Sequence, residues 1–90
     1  MSNFYIFYYV EGDRIMDKAH EKEYRQLGRN IAYYRSIRKF TQEKFAEKAK
    51  ISRTHLSRIE STGVGASLDV VFNIAKALEI DAAKLFETRE

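Results

Sequence analysis

The chain contains no cysteine, no proline and no tryptophan, and it has only four glycines in ninety residues. Without cysteine there is no disulfide framework, no thiolate metal site and no thiol nucleophile. The lack of proline and the shortage of glycine weigh against a turn-rich sandwich or barrel and favour helices. No apolar run approaches the roughly 18–20 residues needed to cross a bilayer, so no membrane partner is expected. What is present, 44% hydrophobic and 32% charged residues, fits a soluble globular chain. Ninety residues leave room for one small domain with a thin core.

The net charge of +3 hides an asymmetry. Residues 1–15 carry −1 and residues 16–27 cancel. Residues 28–62 hold nine Lys/Arg against Glu43, Glu47 and Glu60, giving +6, and residues 63–90 carry −2. The basic excess in the middle third suggests a surface that faces a polyanion, although an ordinary solvated face would carry the same excess.

Two regions differ in character. Residues 4–10, Phe-Tyr-Ile-Phe-Tyr-Tyr-Val, are consecutive β-formers ended by the turn-like Glu11-Gly12-Asp13, which predicts a strand in an N-terminal extension over 1–15. The stretch lacks the basic start and small-residue cleavage site of a signal peptide. From residue 16 to 90 everything reads as helix. Apolar residues at Tyr24, Leu27, Ile31 and Tyr34 predict an amphipathic helix from about Lys18 to Arg38. Thr41 caps a short helix over Gln42–Lys48 with Phe45, Ala46 and Ala49 inward. Ser52 opens a third helix through Glu60 that buries Leu56 and Ile59. Ser61-Thr62-Gly63-Val64-Gly65 reads as a loop. Ser67 caps a fourth helix, where Leu68, Val71, Phe72, Ala75 and Leu78 keep helical spacing. Asp81 caps a fifth, short helix whose Leu85 and Phe86 close the core. The expected fold is therefore all-α with five helices and an N-terminal strand.

The stretch from Thr41 to Glu60 carries the functional signal. Two short helices separated by only Ala49-Lys50-Ile51-Ser52 must cross steeply, which demands a small residue at the crossing, and Ala46 supplies it. Arg53, Thr54, His55, Ser57 and Arg58 are left outward on the second helix. An exposed helix with no acid before Glu60 can enter a major groove about 12 Å wide with its first turns against base edges.

Ile31-x-x-Tyr34-Arg35, Thr41-Gln42-Glu43-x-Phe45-Ala46, Ile51-Ser52-x-x-x-Leu56-Ser57-x-Ile59-Glu60 and Ser67-Leu68-Asp69 through Leu85-Phe86 resemble the Cro/C1-type (XRE) helix-turn-helix family over roughly residues 25–87. The resemblance implies a lambda-repressor-like five-helix domain that binds double-stranded DNA as a homodimer and regulates transcription in the cytoplasm. By position it implies that Arg53, Thr54 and Arg58 face bases and that Gln42 meets a phosphate. Ser57, His55, Lys39, Ser61 and Thr62 are weaker phosphate candidates. Arg35 and Glu60 match a family pair that forms an internal salt bridge. Three positions depart from the family pattern: Lys39 and Lys50 stand where glycine is usual, and Ala66 replaces a common proline. A lysine held left-handed at position 50 would cost about 1 kcal/mol.

Little points to catalysis. Ser36-Ile-Arg-Lys39 matches S-x-x-K without the partner motifs of that chemistry, and His20 with Glu21 and Glu23 lacks the H-E-x-x-H spacing. Neither an enzyme activity nor a cofactor, metal or small-molecule ligand is expected. Phe4, Ile6, Tyr8 and Val10 are candidate dimer contacts, through a ribbon with the same strand of a second copy. A start at Met16, with the upstream residues a mere extension, is the competing reading. The rival functions are a protein-interaction module, such as the antitoxin half of a toxin–antitoxin pair, and a restriction–modification controller.

Overall fold

Helix α1 (Glu21–Ile37) follows a 3-10 turn at Lys18–His20, and α2 (Gln42–Ala49), α3 (Arg53–Thr62) and α4 (Leu68–Leu78) come after it. A second 3-10 segment, Ala82–Phe86, closes the fold. The structure, a computed structural model, describes residues 18–88. The predicted strand and the candidate contacts Phe4, Ile6, Tyr8 and Val10 lie outside the described residues.

Hydroxyl and carboxylate caps start the later elements. The side chains of Thr41, Ser52 and Ser67 accept from the backbone N–H of Lys44, His55 and Val70 at 3.1, 3.0 and 3.3 Å. Each cap satisfies a donor that has no partner inside its own helix. Asp81 accepts from Ala83 N–H at 3.0 Å, but the element it caps is a five-residue 3-10 segment and not the fifth α-helix that the spacing predicts. Its bonds run three residues apart, Lys84 N–H to Asp81 C=O and Glu87 N–H to Lys84 C=O, and the chain then turns extended at Glu87. So short a piece ends before four-residue bonding can build a run.

Three connections share one design. Lys39, Lys50 and Glu79 all sit in the left-handed region, with φ of 62°, 65° and 60°. Each comes after a helix whose final carbonyls are closed by paired bonds: Phe40 N–H to Arg35 C=O with Lys39 N–H to Ser36 C=O, and likewise at Ile51 and Ile80. This is the Schellman arrangement, in which the residue after the left-handed one packs an apolar side chain inward. Phe40, Ile51 and Ile80 do so against the core. The next residue in each case, Thr41, Ser52 or Asp81, is the cap of the element beyond it. Glycine is thus replaced at positions 39 and 50 while the left-handed geometry is kept.

The core gathers Leu27 and Ile31 of α1, Phe45, Ala46 and Ala49 of α2, Leu56 and Ile59 of α3, Val71, Ile74, Ala75, Ala77 and Leu78 of α4, and Leu85. Two predicted helix faces need correction. Leu68 and Phe72 are exposed, because Val71, Ile74, Ala75 and Leu78 set the true inward stripe of α4. Phe86 is exposed as well, and Leu85 alone plugs that end. Apolar spacing gives no hint of Asn30, a fully buried polar residue. Its amide donates to the carbonyls of Leu85 and Glu87, both at 2.8 Å, and its carbonyl accepts from Gln26 at 3.1 Å, so its burial leaves no polar atom unsatisfied.

Helix α3 is held unusually close to α1. A Cβ at Gly28 would press into the carbonyl oxygen of Ile59. One turn along, Gly63 ends α3 with φ of 82°, where a Cβ would press into the carbonyl oxygen of Tyr24. Glycine on each helix lets the two backbones touch.

Candidate nucleic-acid interface

Helix α3 divides into two faces. Leu56, Ile59 and Gly63 are buried, and Thr54, Arg58 and Ser61 form an exposed row on spacings of four and three, with Arg53 exposed beside them. Ser57 is half-buried. The first turn of α3 carries no acidic residue, and Ser52 closes one of its free N–H groups. The N-terminal end of the helix therefore presents the positive end of its dipole together with Arg53.

The single acid of α3 is turned inward. Glu60 receives Arg35 through two bonds, Nε to Oε2 at 2.6 Å and Nη2 to Oε1 at 3.1 Å, and Arg35 also donates to the Phe40 carbonyl at 2.7 Å. The Glu60 side chain is only 6% exposed. Gln42 donates its amide to the same carboxylate, Nε2 to Oε1 at 2.9 Å. One carboxylate thus ties together α1, the first residue of α2, and α3. Its negative charge is matched and withdrawn from the exposed row. The Gln42 amide has a second N–H free of this bond, and its position at the start of α2 adds the helix-end field. No spacing rule points to the Gln42–Glu60 contact, since eighteen residues and a helix crossing separate the two.

The weaker phosphate candidates divide. Lys39 is exposed, as is Lys50, each at the bend that precedes a motif helix. The His55 imidazole is half-buried and lies 2.9 Å from the Gly65 carbonyl oxygen, bracing the loop before α4. Ser61 and Thr62 belong to α3 and not to the predicted loop. Their hydroxyls donate to the carbonyls of Ser57 and Arg58, both at 2.9 Å, and Thr62 also accepts from Val64 N–H at 3.1 Å. The last turn that composition argues against is closed by the backbone, Gly63 N–H donating to the Ile59 carbonyl at 2.8 Å with Gly63 in the left-handed cap position. Tyr33 is partly exposed and stands edge-on to Tyr34, which packs against the core, with ring centroids 5.1 Å apart.

Among the described residues no group of three or more His, Cys, Asp or Glu side chains is placed to hold a metal ion. Among the same residues no helix is long and apolar enough to cross a membrane.

The arrangement has close structural counterparts. The restriction-modification controller protein C.AhdI from Aeromonas hydrophila aligns with a TM-score of 0.69 at 23% identity, over 72% of this chain and 98% of that one. A hypothetical transcription factor from Neisseria, NHTF, aligns with a TM-score of 0.68 at 25% identity, over 72% of this chain and 75% of its own. No curated protein sequence gives a significant match. The family model described as Helix-turn-helix matches residues 31–85, more than half of the chain, and spans α2, α3, α4 and part of α1. The chain belongs to the Cro/C1-type helix-turn-helix family of DNA-binding regulators.

Proposed function

We propose that the chain is a sequence-specific transcriptional regulator that acts in the cytoplasm as a homodimer on a palindromic operator. Helix α3 enters the major groove, and Arg53, Thr54 and Arg58 read base edges. Arginine donates bidentately to guanine O6 and N7, worth about 1–3 kcal/mol of discrimination per contact, and Thr54 can meet a thymine methyl. Gln42, Lys39 and Lys50 take phosphates and fix the approach. Ser57 lies at the margin of this face. The hydroxyls of Ser61 and Thr62 and the His55 ring hold the end of α3 and the loop behind it. Two such helices related by a twofold axis would reach half-sites about 34–36 Å apart. Binding alone does the work, by blocking or recruiting polymerase.

The observation that supports this most is the exposed, acid-free row on α3, with Glu60 turned away and bound by Arg35 and Gln42. The test is selection from a random duplex pool at about 150 mM salt, then a salt series on the winning sequence. A palindrome should be enriched, and Arg53→Ala or Arg58→Ala should each weaken binding by about 5- to 150-fold while relaxing one base position. Binding without an enriched sequence would reduce the chain to a non-specific DNA binder. No binding at all would favour the antitoxin-like protein-interaction reading.

A further inference from the structure

The described residues leave an apolar groove of about 360 Å³ between the start of α1, the start of α4 and the last 3-10 segment. Its apolar lining comes from Tyr24 and Leu27 of α1, Ala66 just before α4, Leu68 and Val71 of α4, and Phe86. Two of these side chains are turned out to a degree unusual for their size. Leu68 is 64% exposed and Phe86 54%, and Phe72, one turn beyond Leu68, is 53% exposed. Apolar surface gathered in this way marks a place that something covers.

The chain itself supplies an occupant. Its most apolar stretch, Phe4-Tyr5-Ile6-Phe7-Tyr8-Tyr9-Val10, precedes α1. The described residues begin at Lys18, and the first residues of α1 form the rim of the groove, with Glu23 lining it beside Tyr24. Residues 11–17 span at most about 23–25 Å when extended, long enough to fold back over the groove and short enough to keep the segment near it. A tether of that length gives an effective concentration in the millimolar range, which a second copy of a regulator does not reach at working concentrations. Left uncovered, seven consecutive β-forming apolar residues would be a site of self-association.

We propose that residues 4–10 dock in this groove within the same chain, and cover Tyr24, Leu27, Leu68 and Phe86. The extension then completes the core at the point where the helices leave it open. It is a cis-acting cover, distinct from a dimer ribbon, and the proposal does not depend on how the chain binds DNA.

The absence of native cysteine makes the test clean. In the full chain, Ile6→Cys is paired with Leu68→Cys, and in a control with Ile37→Cys, an exposed apolar position about 20 Å along α1 from the groove. Under dilute oxidising conditions the first pair should close to an intramolecular disulfide, seen as a monomeric band on a non-reducing gel with two hydrogens lost by mass. The control pair should not close. A covalent dimer from the Leu68 pair would overturn the proposal in favour of a second copy, and equal closure of both pairs or closure of neither would overturn it outright. The second measurement uses anilinonaphthalene sulfonate on the full chain carrying Phe4→Ser, Ile6→Ser and Tyr8→Ser. Dye fluorescence should rise several-fold over the parent as the groove opens, and Leu68→Ser added to that background should reverse most of the rise. Unchanged fluorescence in the triple variant would refute the docking.

Discussion

Gly28→Ala is a substitution for which helix propensity and packing predict opposite signs. On an exposed helix face the change would stabilise by about 1 kcal/mol, because glycine loses more backbone freedom on folding than alanine does. At Gly28 the new Cβ would press into the Ile59 carbonyl oxygen and stand 2.9 Å from that of Glu60. Both atoms are backbone, so no rotamer change relieves the contact. Ordinary van der Waals distance begins near 3.4 Å, and α1 and α3 would have to part by about an ångström. Overpacking of this kind costs about 1–3 kcal/mol and sometimes more. The separation also pulls on the Arg35–Glu60 pair, which bridges the same two helices. Set against the propensity gain, the expected net loss is about 1–2 kcal/mol, a fall in Tm of roughly 4–16 °C for a domain of this size. Thermal melts monitored by far-UV circular dichroism, with urea titration at 25 °C, read it directly. Ser36→Ala, on an exposed stretch of the same helix, serves as the propensity control and should gain a few tenths of a kcal/mol. If Gly28→Ala melted at or above the parent, the close approach of α1 to α3 would be wrong, and with it the account of how α3 is held.

Glu60→Gln should destabilise by about 2–3 kcal/mol in urea, since it removes the charge that matches the Arg35 guanidinium, 16% exposed, and leaves one amide oxygen where two carboxylate oxygens accept from Arg35 and Gln42. The double variant Arg35→Met with Glu60→Leu should recover more than half of that loss, and a double variant no better than Glu60→Gln would refute the pairing argument. Lys50→Gly should stabilise by about 0.5–1 kcal/mol, because it relieves a left-handed side chain at φ 65°. Lys50→Val should lose at least 1 kcal/mol at the same position, as a β-branched side chain fits that region worst. On operator DNA, Lys50→Gly should also lower the slope of log affinity against log salt by about 1, and an unchanged slope would remove Lys50 from the phosphate contacts.

Much of the helical frame can be read from local signals. Thr41, Ser52, Ser67 and Asp81 are all legible as caps from type and position alone, since a short oxygen-bearing side chain before an apolar stripe has little else to do. The three bends are legible too, once they are set side by side. Lys39-Phe40-Thr41, Lys50-Ile51-Ser52 and Glu79-Ile80-Asp81 repeat one pattern of a left-handed charged residue, an inward apolar residue and a cap. The usual presence of glycine at such points masks that repeat. Spacing misassigns Leu68 and Phe72, because both an i, i+4 pair and the neighbouring Val71–Ala75 pair fit a helical period, and only the rest of the molecule selects which stripe faces in. The partners of the candidate site are the least legible. Arg35 with Glu60 comes from family resemblance, whereas Gln42 with Glu60 and His55 with Gly65 depend on helix crossings and a loop path that no local pattern encodes.

The buried amide of Asn30 bears on the order in which the molecule assembles. Helical domains with short connections fold quickly because most of their contacts are local. The Arg35–Glu60 pair closes a separation of 25 residues, but the two bonds from Asn30 close separations of 55 and 57. That last closure ties residues 85 and 87 onto α1 across the longest of these separations, where the loop-closure cost is highest. Asn30 is thus a latch set late on the folding path, so Asn30→Ala should leave the refolding rate almost untouched and appear almost wholly as faster unfolding. The native state of Asn30→Ala should then survive for a correspondingly shorter time between openings.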